Sequence, residues 1–211
     1  AFDFDQGYHG KGQFLLGISP RGADKLAEYS GGLQAVQLLP GSFPLIYNIT
    51  FFGDLSGQSI PGIHYSSFGG GDILNSIVMH SGTGIAINYS EKAGDSYSLF
   101  ESGFLAIRNN ILFPVSGAKP SFYCYNDAIP DLEAQNAKMA DSLQAWNNLF
   151  EDPGIYHTEG TYKVLPPSTV FDRMAAYEND WFEKVSFKGA FGSKNWLENW
   201  TLIYEEGFII D

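Results

Sequence analysis

Leu45-Ile46-Tyr47-Asn48-Ile49-Thr50-Phe51 is the first of three copies of one short sequence pattern. The second copy is Leu74-Asn75-Ser76-Ile77-Val78, and the third is Ala106-Ile107-Arg108-Asn109-Asn110-Ile111-Leu112-Phe113. In each copy an Asn enters a run of β-branched and apolar residues, and a Gly or Pro turn follows. The copies start about 27 and 34 residues apart, a spacing typical of solenoids, propellers and other repeat arrays. The pattern therefore predicts a repetitive β architecture.

A parallel β-helix explains why an Asn stands at the head of each strand. In that fold, equivalent residues of successive rungs stack roughly 4.8 Å apart. An amide side chain both donates and accepts hydrogen bonds, so Asn48, Asn75 and Asn109 are predicted to form a structural ladder at a corner of the backbone. The alternative is a chance recurrence, because Asn is common in the turns beside strands.

The predicted organisation changes after Pro130. Apolar residues then recur along one face of an amphipathic helix: Leu132, Met139, Leu143, Trp146 and Phe150. The sequence therefore predicts an all-β protein, a right-handed parallel β-helix (solenoid) with its rungs in residues 1–130. Residues 131–211 are predicted to add flanking helices, the last rungs and an aromatic C-terminal cap to the same domain. Such a cap is expected because the final rung of a solenoid otherwise exposes an open edge and core.

Composition excludes several classes of partner. With 44% hydrophobic and 17% charged residues, the chain can bury a substantial core. The formal net charge of −12 argues against nucleic acid, whose phosphates this surface would repel, and against a basic face that binds or inserts into membranes.

The chain has a single cysteine, Cys124, which rules out an internal disulfide. Because Cys124 lies among aromatic residues, it is predicted to be a buried inert thiol.

Three parts of the sequence carry a family resemblance: residues 3–14, the Asn-led copies, and residues 187–201 with their Phe-Lys-Gly-Ala-Phe-Gly and Asn-Trp segments. Together they resemble large secreted right-handed parallel β-helix repeat proteins of Bacteroidetes-type bacteria. The resemblance covers most of the chain. It implies an exported or surface-attached protein, and it implies that the chain is a C-terminal portion with further rungs before it. The family has no firmly assigned activity, so the resemblance implies fold and location rather than chemistry.

The opening segment offers one set of catalytic candidates. Right-handed β-helices often host polysaccharide lyases, in which a cation neutralises charge that develops at a uronate. Asp3 and Asp5 are predicted to bind Ca²⁺ through hard oxygen ligands, Lys11 or His9 to act as the base, and Arg21 to meet the acidic sugar. Two carboxylates alone are too few for a calcium cage, and a solvated row of Asp side chains explains the same residues. This enzyme hypothesis is an analogy between folds.

Aromatic residues, 16% of the chain, indicate a binding function instead. Rings of Trp and Tyr combine an apolar face with a polar group, and Tyr8, Trp196 and Trp200 are the predicted ligand-binding residues. The alternative is that these rings fill the core and seal the C-terminal end. A glycosidase pair would need two carboxylates roughly 5–10 Å apart, which the sequence cannot establish for Glu91, Asp95 or Glu101.

We therefore predict an exported, cell-surface binding or structural module. Its expected partner is a polysaccharide or a protein that meets the open N-terminal end at Ala1 to Phe14, with the chain acting as a subunit of a larger surface assembly. The alternative prediction is a calcium-dependent polysaccharide lyase that acts on acidic glycans.

Overall fold

The computed structural model describes ten segments of the chain: residues 2–19, 25–31, 41–53, 61–79, 83–89, 95–113, 122–125, 131–158, 160–166 and 173–211. Their strands, in chain order, are β1 (Phe2–Phe4), β2 (Lys11–Ile18), β3 (Ala27–Ser30), β4 (Leu45–Phe52), β5 (Pro61–Ser66), β6 (Gly71–Leu74), β7 (Ile77–Met79), β8 (Thr83–Asn88), β9 (Leu105–Arg108), β10 (Ile111–Phe113), β11 (Phe122–Tyr125), β12 (Tyr156–Thr158), β13 (Thr161–Lys163) and β14 (Ile209–Ile210). The helices are α1 (Ser96–Ser102), α2 (Leu132–Ala145) and α3 (Leu202–Glu205).

Two parallel sheets dominate the described residues, and their strands alternate along the chain. The first sheet has the strand order β1-β3-β5-β8-β11. The second has the order β10-β7-β4-β6-β9, with β2 paired to the other edge of β4. Apolar side chains from both sheets meet in one central core, whose largest fully buried members include Tyr29, Tyr65, Phe51 and Ile63.

Each Asn-led copy bends the second sheet at the same register position. The pairs Tyr47↔Leu74 and Leu74↔Arg108 align the residues that follow them, which are Asn48, Asn75 and Asn109. These three residues have φ values of 55°, 53° and 57°. Asn tolerates this left-handed conformation better than most residues. The positive φ at each bend therefore explains why Asn recurs at this position.

The opposite face of the second sheet is covered by the C-terminal part of the chain. Phe52, Ile77 and Ile111 point away from the central core and pack in a second cluster with Phe191 and Leu197. A third cluster places Tyr47 and Leu74 against Phe182. Strands β12 and β13 pair in antiparallel fashion beside this region, and β14 adds a parallel strand to β13.

Two helices complete the central core. Asp95 begins α1, because its side chain accepts a hydrogen bond from the Ser98 N–H at 2.7 Å, and Gly103 ends it at φ 80°. Helix α2 lies where the amphipathic spacing after Pro130 predicted a helix. It buries Met139 and Leu143 in the central core beside β11.

The predicted fold class, an all-β right-handed parallel β-helix, is wrong. The described residues form several parallel sheets and three helices, with 16% of residues helical and 38% in strands. Helix α1 interrupts the region that was predicted to hold only strands and turns, and α2 supplies core residues instead of decorating a flank. The predicted aromatic C-terminal cap is also wrong in placement, because residues 173–211 pack on a sheet face. Of the described helices, none has the length and apolar character that crossing a bilayer requires.

Candidate functional site

A groove of about 470 Å³ opens where the chain enters three neighbouring strands of the second sheet, β4, β6 and β9. We call it the corner groove. Its lining residues are Phe43, Pro44, Leu45, Gly71, Asp72, Gly103, Phe104 and Glu178. They come from four separate parts of the sequence, so strand register and the C-terminal residues together create the groove.

Glycine at position 70 leaves room for the Phe43 ring beside the groove. Register places Phe43, Gly70 and Phe104 at equivalent positions, each just before its strand. A Cβ atom on Gly70 would lie 2.7 Å from the Phe43 ring and 2.9 Å from the Phe104 carbonyl oxygen. The two rings are 6.4 Å apart between centroids and nearly perpendicular, and Phe104 is 61% exposed. The Phe43 ring thus covers Gly70 and lies edge to face with Phe104, whose exposed ring forms one side of the groove.

His9 extends this row across one further strand. The pair Lys11↔Leu45 puts His9 in the same register position as Phe43, and the centroids of the two rings are 5.4 Å apart. We call His9, Phe43 and Phe104 the aromatic row. His9 and Phe43 lie beside neighbouring strands, about 4.8 Å apart. Phe104 lies two strands from Phe43, with Gly70 at the intervening position.

Asp72 provides a carboxyl group in the groove. Burial raises its pKa from 3.8 to about 6, and the negative charge of Glu178 acts in the same direction. The positive charge of Arg108 and a hydrogen bond from the Ala106 backbone N–H oppose this shift and lower the pKa. Near neutral pH Asp72 is therefore mostly ionised, in a site where desolvation disfavours its charge.

Glu178 reaches the groove because side-chain amides hold the chain beside it. We call residues 173–190 the C-terminal segment. Asn109 Nδ2 donates to the Arg173 carbonyl oxygen at 2.8 Å, and Asn48 Oδ1 accepts from the Tyr177 hydroxyl at 3.0 Å. The segment thus crosses the strands of the second sheet, and each predicted ladder Asn binds it at a different point.

A second amide row lies one residue after the bends, inside the core. Asn110 Nδ2 donates to Asn148 Oδ1 at 3.1 Å, and the Ser76 backbone N–H donates to Asn110 Oδ1 at 2.8 Å. Asn148 follows Asn147, which has φ 58° like the other bends, and Leu149 forms a parallel bridge with Ile111. The residue after the bend thus forms a polar row of Ser76, Asn110 and Asn148, in which the two Asn side chains are stacked amides.

Lys188 fixes the end of the C-terminal segment. Its side chain is completely buried, and its Nζ donates to the carbonyl oxygens of Asn109 and Arg173. The next residue, Gly189, donates its backbone N–H to the Asn75 carbonyl oxygen at 2.7 Å. The segment is thereby attached to the strand bends through both its side chains and its backbone.

The predicted lyase residues are divided between the two sheets. Asp3 lies on β1 in the first sheet, where burial and the charges of Asp5 and Glu28 raise its pKa. Lys11 shares the register position of Leu45 and Asp72 in the second sheet. The structure therefore brings His9 and Lys11 to the neighbourhood of the corner groove.

It places Asp3 and Asp5 elsewhere, on or beside an edge strand of the first sheet. Within the described segments, His, Cys, Asp and Glu side chains form no group of three or more that is placed to hold a metal ion. Calcium binding at Asp3 and Asp5 stays a prediction. Arg21 and Glu91 lie outside the described residues.

The predicted ligand-binding aromatics lie apart from the groove lining. Tyr8 packs its ring on Phe4, with 5.5 Å between centroids. Trp196 and Trp200 stack on each other at 6.2 Å, and Trp196 also stacks on Phe191 of the second cluster. Trp196 and Trp200 thus form a separate aromatic surface on the C-terminal part of the chain, whereas the Tyr8 carbonyl oxygen accepts a hydrogen bond from the backbone N–H of the groove residue Phe43 at 2.9 Å.

The other acidic candidates have structural roles. Asp95 caps α1, and Glu101 forms an ion pair with Lys138 of α2 at 2.6 Å. Sequence reasoning missed Asp72, Phe104 and Glu178. The Gly69-Gly70-Gly71 run just before Asp72 was the available signal, because consecutive glycines mark a close approach of backbone and side chains.

Comparison with known proteins adds no assignment to this geometry: no family model, no curated protein and no solved structure matches the chain.

Proposed function

We propose that the protein binds a polysaccharide in the corner groove. The observation that carries this proposal is the placement of two carboxyl groups, Asp72 and Glu178, beside the exposed ring of Phe104 in an open groove. Sugar rings present C–H faces that pack on aromatic rings and hydroxyl groups that donate hydrogen bonds to carboxylates. The groove supplies both kinds of contact at one place.

The aromatic row favours an extended ligand over a single sugar. Its rings cross neighbouring strands of one sheet, so the contacts repeat along a line. An open groove with several rings along it can bind a polysaccharide that extends beyond the groove at both ends. The exported cell-surface location belongs to the same proposal, since polysaccharides are abundant outside cells.

A polysaccharide lyase is the second candidate. The observation that favours it is that His9 and Lys11 share register positions with groove residues. Lyases form an unsaturated sugar that absorbs ultraviolet light, so an absorbance assay on uronate polymers tests this activity directly. A rise in absorbance that is lost in Lys11→Ala would favour the lyase over the binding module.

A glycan array with the purified protein tests the binding proposal. Phe104→Ala removes the exposed ring and is expected to weaken binding of the glycans retained by the unchanged protein by about tenfold. Phe208→Ala is the matched control, because Phe208 is also an exposed phenylalanine but lies beside β14, outside the groove lining. Absence of glycan binding, or equal loss in both variants, would refute the proposal.

The predicted partner at the N-terminal end is a separate proposal. Among the strands that the structure describes, β1 and β2 each pair with one neighbour, β3 and β4, and so form edges of their sheets. Open edges accept additional strands. A pull-down with the intact protein and with a Leu15→Lys variant tests whether a partner binds there.

A further inference from the structure

We infer that the corner groove selects glycans whose sugars carry a primary ammonium group, which Asp72 and Glu178 receive beside the exposed ring of Phe104. This inference rests on the proposed binding of polysaccharide and names the chemical class of the ligand.

The sign of the charges in the groove favours a cationic ligand. Asp72 and Glu178 are its ionisable lining residues, and both are acidic. Their charges interact, because Glu178 acts on Asp72 through the groove. The formal net charge of the chain is −12, which adds a negative field around the site. A uronate would be repelled here, and a cation would be attracted.

The Asp72 carboxylate has acceptor capacity left for a ligand. A carboxylate offers about four lone-pair sites, and the Ala106 backbone N–H uses one of them. Burial makes the ionised form of Asp72 unfavourable in the unliganded protein. A bound ammonium would offset that cost, since an opposite charge nearby stabilises a buried carboxylate.

An exposed aromatic ring lies beside the two carboxyl groups. Phe104 is 61% exposed and lines the groove together with Asp72 and Glu178. Its ring can pack on the apolar face of a sugar, while the carboxyl groups receive the ammonium. An amino sugar matches both features, whereas an acetylated sugar matches only the ring.

Of the described cations, Arg108 acts on Asp72 through its charge but does not line the groove. Arg108 places its guanidinium carbon 5.8 Å from the centroid of Trp146, and it is absent from the groove lining. Lys11 shares the register position of Asp72 but is separated from it by the strand that carries Leu45. Asp72 and Glu178 therefore face the groove without a lysine or arginine among the lining residues.

Titration calorimetry with three matched oligosaccharides tests the inference. The ligands are hexamers of glucosamine, of N-acetylglucosamine and of galacturonic acid, measured at low salt and about pH 6.5, above the pKa of Asp72. We expect the glucosamine hexamer to bind about tenfold more tightly than its acetylated counterpart, and the galacturonate hexamer to bind most weakly. The preference should shrink as salt screens the charges.

Two variants separate this inference from the proposed function. Asp72→Asn should remove the preference for the amine while the N-acetylglucosamine hexamer still binds. Phe104→Ala should weaken both amino and acetylated ligands and leave their ratio unchanged. Equal binding of the two hexamers by the unchanged protein, with sensitivity to Phe104→Ala, would overturn the inference and leave the proposed function standing. Tighter binding of galacturonate would also overturn it, and binding of no glycan on the array or in the titration would refute both.

Discussion

The side chain of Asn75 forms a two-bond pair with the backbone of Ala175, 100 positions further along the chain. Asn75 Nδ2 donates to the Ala175 carbonyl oxygen at 3.0 Å, and Asn75 Oδ1 accepts from the Ala175 N–H at 2.7 Å. Gln13 forms the same kind of pair with Glu183, at 2.8 and 2.9 Å. In both cases a side-chain amide forms the two backbone hydrogen bonds that a neighbouring strand would otherwise form. Glu178 lies between these two attachment points, so they set one wall of the corner groove.

Removing the Asn75 amide should destabilise the protein. Asn75→Gly keeps a residue that adopts φ 53° without strain and deletes only the side chain. Because Asn75 is fully buried, two backbone groups of Ala175 lose their partners, and the free energy of unfolding should fall by about 2–4 kcal/mol. Urea denaturation measures this change.

Gln13→Ala is the comparison for Asn75→Gly. Gln13 is only partly buried, so water can replace its hydrogen bonds to Glu183, and the expected loss is below about 1 kcal/mol. Equal losses in the two variants would contradict the role of burial. Hydrogen exchange at the Ala175 amide should accelerate in Asn75→Gly alone.

Asp72 should lower the stability of the folded protein at neutral pH. Folding raises its pKa from 3.8 to about 6, so the folded state holds the proton more tightly than the unfolded chain. The folded state is therefore favoured at pH values below 3.8, the pKa of Asp72 in the unfolded chain. It loses that advantage as the pH rises through about 6. Asp72→Asn should therefore raise the free energy of unfolding by about 2 kcal/mol at about pH 8 and change it little at about pH 4.

Asp180→Asn is the control for Asp72→Asn. The Asp180 carboxylate is almost fully exposed and forms a surface ion pair with Lys184 at 3.0 Å, which contributes little to stability. Asp180→Asn should therefore change the free energy of unfolding little at both pH values. Denaturant unfolding across the pH range measures both variants. If the difference in unfolding free energy between Asp72→Asn and the unchanged protein does not vary with pH, Asp72 is not held in a desolvated site.

Gly189 should tolerate no side chain. It has φ +78°, and a Cβ atom would lie 2.7 Å from Thr50 Oγ1 and 2.8 Å from Ile77 Cδ1. Gly189→Ala therefore combines backbone strain with a clash in the second cluster, and we expect a loss of about 3 kcal/mol or more. Gly103→Ala is matched to it, because Gly103 has φ +80° with no atom within 4 Å of the added Cβ. Gly103→Ala should cost about 1 kcal/mol from backbone strain alone, and thermal unfolding compares the two.

Two buried tyrosine hydroxyls should be dispensable for stability. Tyr29 and Tyr65 are fully buried, and their hydroxyl groups find no hydrogen-bond partner among the described residues. Burying an unpaired hydroxyl costs about 1–3 kcal/mol, so Tyr65→Phe should leave stability unchanged or increase it. Tyr65→Leu is the control, since it also removes the ring contact with Tyr29 at 4.6 Å and should destabilise the core. A loss in Tyr65→Phe as large as that in Tyr65→Leu would show that the hydroxyl has a partner.

Local sequence determined where the second sheet bends. Asn48, Asn75 and Asn109 stand at bends because Asn adopts positive φ at low cost, and this preference acts within a few residues. The spacing after Pro130 likewise predicted a helix, and α2 is present there. The predicted ladder assigned these Asn side chains to one another. Asn48 Nδ2 donates to the Asn75 carbonyl oxygen at 3.4 Å. Each of the three side chains also binds a residue of the C-terminal segment, more than sixty positions away in sequence.

The tertiary structure alone decided the fold class and the groove. Nothing in the residues around Phe43, Gly70 and Phe104 shows that they become neighbours, because strand register, not sequence distance, aligns them. Nor does the sequence around Asp72 show that its carboxyl group will be desolvated beside Glu178, which comes from a different part of the chain. Backbone preferences are local and can be recognised in sequence, whereas burial and electrostatic interaction depend on which distant residues the folded chain brings together.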